Sequence, residues 1–137
     1  MRTTVDYVAD ADGVAVLALE GELDASNYQD VIAQIRELVG GGTRRLVLDL
    51  AGLSYMASSG LVALHSAALL LRGIDPPDPE AGWGAFHSLG LDVSSAAPDP
   101  NVRLVAPQPS VDRVLERTGL KGFFPVHPDR ASAIASL

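Results

Sequence analysis

The sequence predicts an α/β fold whose sheet contains parallel strand pairs. Short strand-like runs alternate along the chain with longer runs of helical periodicity, a pattern that implies parallel pairing and right-handed crossovers. The 137 residues suffice for one ordinary domain with a real core and are too few for two. Hydrophobic residues make up 47% and charged residues 20%, which is a globular balance. Aromatics are only 5%, so the core must rest on Leu, Val, Ile and Ala.

The elements follow in order. Residues 3–9 and 14–20 have strand composition, and Asp10-Ala11-Asp12-Gly13 between them is turn chemistry, because Asp-Gly supplies the positive φ angles of a hairpin. In the second run Val14, Val16 and Ala18 alternate with Ala15, Leu17 and Leu19, so both faces are apolar and the strand is predicted to be central. Gly21-Glu22-Leu23-Asp24 then leads into a helix. Ser26 and Gln29 have capping-box spacing. Tyr28, Val31, Ile32, Ile35, Leu38 and Val39 recur at helical spacing, and Gly40-Gly41-Gly42 ends the run.

Residues 44–50 read as the next strand, with Leu46-Val47-Leu48 suited to burial on both faces. A second helix is expected over about 58–72. Residues 74–101 differ in kind: they hold five of the nine prolines and five acidic residues, with no Lys or Arg. This is predicted to be an acidic, Pro-rich inserted loop, anchored through Trp83, Phe86, Leu89 and Leu91. Trp83 reads as a local anchor or as a binding hot spot. Residues 102–106 form the following strand. Pro109-Ser110 opens a third helix with Val111, Val114 and Leu115 on one side, ended by Gly119. Phe123, Phe124 and Val126 are expected to add a short strand, and 128–137 a final short helix. The predicted order is β-β-α-β-α-loop-β-α-(β)-α, without internal repeats.

Charge narrows the function classes. A formal net charge of −7 leaves no excess of Lys or Arg to neutralise nucleic-acid phosphates or to hold an anionic membrane surface. The absence of cysteine excludes disulfides, Cys-ligated zinc and thiol catalysis. The first residues lack an apolar signal core, and the longest apolar stretch, around 61–71, is interrupted by His65 and Ser66 and is too short to span a bilayer. A cytoplasmic protein is expected.

The informative stretch is Leu48-Asp49-Leu50-Ala51-Gly52-Leu53-Ser54-Tyr55-Met56-Ala57-Ser58-Ser59-Gly60-Leu61-Val62. A strand ends, a tight connection follows, and two serines stand at the mouth of an apolar helix. An N-cap serine satisfies one orphan amide. That accounts for one serine, but not for two followed by Gly60, since glycine in the first turn weakens a helix and bares its backbone. Gly60 admits two readings: close approach of a partner's backbone, or crowding against the sheet. Asp24 caps or precedes the first helix, or touches a partner.

Enzyme chemistry finds little support. Ser58 and His65 share a helix face, but seven residues separate them by about 10 Å along the axis, beyond nucleophile–base reach. Residues 56–60 do not form a Gly-x-Ser-x-Gly elbow. His65, His87 and His127 lack ligand spacing, so no metal site is expected. His65 reads instead as a helix-face or partly buried histidine. The glycine run 40–42 has no following Lys-Ser/Thr and serves as a helix stop.

Asp49-Leu50, Tyr55-Met56 and Ser58-Ser59-Gly60-Leu61 resemble the signature of the STAS domain family, the fold of anti-sigma-factor antagonists and of sulfate-transporter tails. Gly21-Glu22-Leu23-Asp24 is similar to the family's Gly-Glu-Leu/Ile-Asp element. Arg103-Leu104-Val105 and Val114-Leu115-Glu116-Arg117-Thr118-Gly119-Leu120 resemble its later strand and helix. The resemblance covers nearly the whole chain outside 74–101. It implies one STAS-type domain over 1–137, an α/β fold with a mixed four- to five-stranded sheet and helices packed mainly on one side.

The resemblance also implies partner switching by a non-catalytic, cofactor-free antagonist. The unmodified protein binds an anti-sigma factor that is also a serine kinase, which frees the sigma factor. Phosphorylation of Ser58 ends that binding, and a metal-dependent serine phosphatase resets it. Ser59 is the second-choice acceptor. Asp24, Ser58, Ser59, Gly60 and Leu61 are the implied partner contacts, and a homodimer is compatible with the family. The sequence departs from the pattern at Ala57, where the family often has Asp. Two alternatives accompany this reading: a STAS scaffold protein of a larger signalling assembly, and a small-ligand or nucleotide-sensing domain. A detached transporter tail fits less well.

Overall fold

In the computed structural model the described residues are 1–8, 13–76 and 99–137. Strand β1 (Arg2–Tyr7) runs antiparallel to β2 (Val14–Leu23), with Arg2 opposite Glu20 and Tyr7 opposite Ala15. Gly13 leads into β2 at φ +78°, the left-handed region that a hairpin turn needs and that only glycine enters without strain. Asp10, Ala11 and Asp12 lie outside the described residues. Helix α1 (Tyr28–Gly40) crosses to β3 (Arg45–Met56), α2 (Ser58–Leu71) follows, and β4 (Val102–Val105) pairs parallel to β3. Helices α3 (Pro109–Arg117) and α4 (Leu120–Phe123), strand β5 (Val126–His127) and helix α5 (Arg130–Ala135) complete the chain.

The sheet order is β1-β2-β3-β4-β5, and every pair after the first is parallel. Right-handed crossovers between strands laid down in sequence order place their helices on one face. That face carries the main core: Ala15, Leu17, Leu19, Leu46, Leu48, Leu50, Val102 and Leu104 from the strands meet Val31, Ile35, Leu64, Ala67, Val111 and Leu115 from the helices. The opposite face has a smaller core of Val16, Val47 and Val105, covered by Ala133 of α5. Arg130 fastens α5 there, donating from Nε to Asp49 at 2.7 Å and from Nη1 to Asp6 at 2.9 Å. The mixed sheet with helices mainly on one side, its five strands, and the central place of β2 agree with the sequence.

Three local expectations are corrected. Ser26 and Gln29 form no capping box: the Ser26 amide and hydroxyl both donate to the Asp24 carboxylate, while Gln29 donates to the Tyr28 hydroxyl. Asn27 takes the N-cap position, its side chain bridging the Asp24 amide and the Glu22 carbonyl. Phe123 is not in a strand. It closes the short helix α4 and packs edge-on against Phe124 at 4.8 Å, both rings fully buried, so their apolar character serves the core and not a sheet. Strand β3 continues to Met56 instead of stopping at Leu50, because residues 51–56 pair with Glu20–Leu23 through two bulges.

The acidic insertion is tied at both ends. Arg36 meets Asp75 at 2.8 Å. Asp99 is buried, accepts from the Asn101 and Val102 amides and pairs with Arg72 at 3.0 Å. Trp83, Phe86, Leu89 and Leu91, with the rest of 77–98, lie outside the described residues.

Candidate functional site

The parallel strands β2, β3 and β4 end at one edge of the sheet, and loops at the carboxyl ends of such strands are where α/β folds place their sites. The register brings the sequence motifs together there. Leu23 pairs with Met56, and the Ala57 amide donates to the Leu23 carbonyl at 2.9 Å. Asp24 and Ser58, thirty-four positions apart in the chain, therefore leave adjacent strand ends side by side.

Ser58 is the first residue of α2 and is exposed. The N-cap is Ala57, with extended backbone at φ −81° and ψ 172° and no side chain to cap the helix. The expected alternative for Ser58, an N-cap role, is thus replaced: the serine stands one position inside, and its hydroxyl has no hydrogen-bond partner among the described residues. Ser59 is half-buried, and its Oγ is enclosed without a partner among the described residues. Gly60 and Leu61 face inward and are buried.

Gly60 is explained by packing. A Cβ built there would lie 2.5 Å from Met56 Cγ and 3.1 Å from both Cγ and Cδ2 of Leu23. Of its two readings, crowding against the sheet is the one with contacts behind it. The absent side chain lets the first turn of α2 sit directly on the strand ends, and this sets how far Ser58 projects.

At the strand end beside the serine stands the Asp24 carboxyl. The Asp24 carboxyl is held below the usual carboxylate range, first by the Ser26 hydroxyl and then by the Ser26 amide, so the charge stays on. The extension of β3 presents Tyr55 as one of the few exposed large hydrophobic residues, 49% accessible. That extension is braced by Ser54, whose hydroxyl donates to the Gly21 carbonyl at 3.0 Å. From the other side Gln108 donates to the Ala51 carbonyl at 2.8 Å and Ser110 to the Ser54 carbonyl at 2.6 Å. Sequence reasoning missed these braces, since they join residues 33 to 57 positions apart and carry no local pattern.

His65 does not accompany Ser58. It is 1% exposed, inside the main core, with its ring stacked 6.3 Å from that of Phe123. Among the described residues no three His, Asp or Glu side chains gather as a metal site, and no helix is long and apolar enough to cross a membrane.

Residues 8–75 match the family model described as "Mlab, STAS domain". BtrV of Bordetella bronchiseptica, whose name assigns it provisionally to the anti-sigma factor antagonists, is 27% identical over 136 residues, spanning 99% of this chain and 94% of its own. An anti-sigma factor antagonist from Mycobacterium paratuberculosis has a similar crystal structure, with a TM-score of 0.65, 24% identity and coverage of 98% of this chain and 92% of the other. The Bacillus cell fate determinant SpoIIAA in its phosphorylated form superposes with a TM-score of 0.62 at 20% identity, covering 98% and 97%.

Proposed function

Taking the chain as the STAS-domain protein that its fold and its family match make it, we propose that it is an anti-sigma-factor antagonist switched by phosphorylation of Ser58. In this reading the unmodified protein binds an anti-sigma factor that is also a serine kinase. The interaction frees a sigma factor, and a serine phosphatase reverses the modification. The protein itself is non-catalytic and acts in the cytoplasm on transcription.

The observation that carries the reading is the placement of Ser58: an exposed hydroxyl, free of any capping duty, at the first position of a buried helix. A kinase needs an accessible, unengaged hydroxyl. Phosphorylation adds roughly −1.5 to −2 charges at neutral pH. The amides at the start of α2 tolerate that charge, so the fold survives. Any surface packed against Ser58 meets the new bulk and charge beside the ionised Asp24, which costs desolvation and repulsion. Two similarities support the assignment: the name of the Bordetella relative, and the existence of a phosphorylated form of SpoIIAA. Asp24, Ser59 and Tyr55 then border the contact, while Gly60 and Leu61 act by shaping the helix start.

The test is intact mass after incubation with the cognate kinase and ATP. Wild type gains one phosphoryl group and Ser58→Ala gains none; Ser58→Asp loses binding to the kinase. A wild-type chain that binds the kinase and stays unmodified refutes the switch. It favours the scaffold reading, which the missing carboxylate at Ala57 supports.

A further inference from the structure

Strand β1 is an edge of the sheet, and nothing among the described residues pairs with its outer side. We propose that this edge pairs antiparallel with β1 of a second copy about a two-fold axis through Thr4, making one continuous sheet across two chains.

The backbone phase fixes what the edge offers. The Val8 amide donates to the Val14 carbonyl, and the register steps from there by twos, so Arg2, Thr4 and Asp6 direct their backbone groups into the sheet. Thr3, Val5 and Tyr7 therefore send their N–H and C=O groups outward. None of the six residues is proline, and the edge carries no bulge. The opposite edge, β5, has two residues and offers no comparable template.

Side chains select the register. In a two-fold antiparallel pair the outward-directed residues must face one another, which allows an axis at any residue of β1. Only the axis at Thr4 sets Arg2 opposite the partner's Asp6, and Asp6 opposite the partner's Arg2. These are positions between the hydrogen-bonded pairs, where facing side chains are closest and opposite charges favour pairing. Asp6 is 57% exposed and already accepts from Arg130; its carboxylate has lone pairs for a second donor.

The same register places Met1 opposite the partner's Tyr7. These two, at 44% and 72% exposure, are half of the four exposed large hydrophobic residues among the described ones. Beside Tyr7 lies a cavity of about 200 Å³ between β1 and α1, lined also by Val5, Gln34, Glu37 and Leu38. It is on the face toward which the partner's Met1 points. Charge pairing and apolar cover thus agree independently on one alignment.

The chain has no cysteine, which makes single cysteines clean probes. Across the axis, two Thr4→Cys residues face each other with Cα atoms about 4.5 Å apart, within disulfide reach. The experiment uses the full chain with no N-terminal tag. Sedimentation of wild type should show a dimer that dissociates on dilution. Thr4→Cys should oxidise to a covalent dimer and Val5→Cys should not. Arg2→Asp and Asp6→Arg should each be monomeric alone, since each sets like charges opposite, and their mixture should regain dimers because both pairs are then complementary. The proposal fails if wild type is monomeric at every concentration, if Val5→Cys cross-links in preference to Thr4→Cys, or if the mixture associates no better than its components.

Discussion

Replacing Gly60 by alanine tests whether the start of α2 is held by packing on the strand ends. In an exposed helix this change stabilises, by about 1 kcal/mol of helix propensity. At Gly60 the new methyl meets Met56 Cγ at 2.5 Å and two Leu23 atoms at 3.1 Å, and both side chains belong to a closed core. Overpacking of this kind costs about 1–3 kcal/mol. With three atoms inside contact distance the cost falls in the upper part of that range, so the net loss is about 1–2 kcal/mol. Urea unfolding measures it directly. The source of the loss is identified by a double-mutant cycle with Met56→Ala. That substitution opens a cavity and costs about 2–5 kcal/mol alone, but in its background Gly60→Ala should become neutral or stabilising. If Gly60→Ala stabilises the wild-type chain by the propensity increment, the crowding argument is wrong. The glycine is then better explained by approach of a partner.

Other outcomes follow from the same contacts. Asp99→Ala removes a carboxylate that accepts from two amides and pairs with Arg72, and should cost about 2–3 kcal/mol in denaturant unfolding, on the scale of hydrogen bonds to charged groups. Arg130→Met should cost about 1 kcal/mol and speed amide exchange in α5 and residues 136–137, because its links to Asp49 and Asp6 hold that helix to the sheet. Asp129, the N-cap of α5, accepts from the Ser132 amide and hydroxyl, and these bonds lower its folded-state pKa. Its contribution is therefore present above the unfolded carboxylate pKa, near 4, and lost as pH falls through the lower folded value. Asp129→Asn should lower the melting temperature at neutral pH and match wild type in acid; an equal deficit at both pH values would rule out the charge as the cause.

Much of the fold was legible because its signals are local. Periodicity located α1 and α3, the glycines at 40–42 marked the end of α1, and the alternation in residues 14–19 identified a strand buried on both faces. The serine pair at the start of α2 was equally visible. What escaped was set by residues distant in sequence. Phe123 and Phe124 have strand-forming side chains, yet the core took both, with Phe123 closing a helical turn and Phe124 extended just after it, outside any strand. The apparent capping box dissolved because the Asp24 carboxylate, fixed by the end of β2, captured Ser26 first.

By itself, then, the sequence determined the α/β class, the order of the strands and longer helices, and the helix that begins near Ser58, all of which follow from local side-chain patterning and turn chemistry; the short helix α4 was not among them. Tertiary structure alone decided that β3 runs on to Met56, that Leu23 lies beside it, and that Gly60 seats the helix against both. The reason is physical: a strand's pairing register and the closeness of a helix to a sheet depend on which surfaces meet, and no short window of sequence contains both surfaces. The exposure of Ser58 beside Asp24 is a product of that meeting.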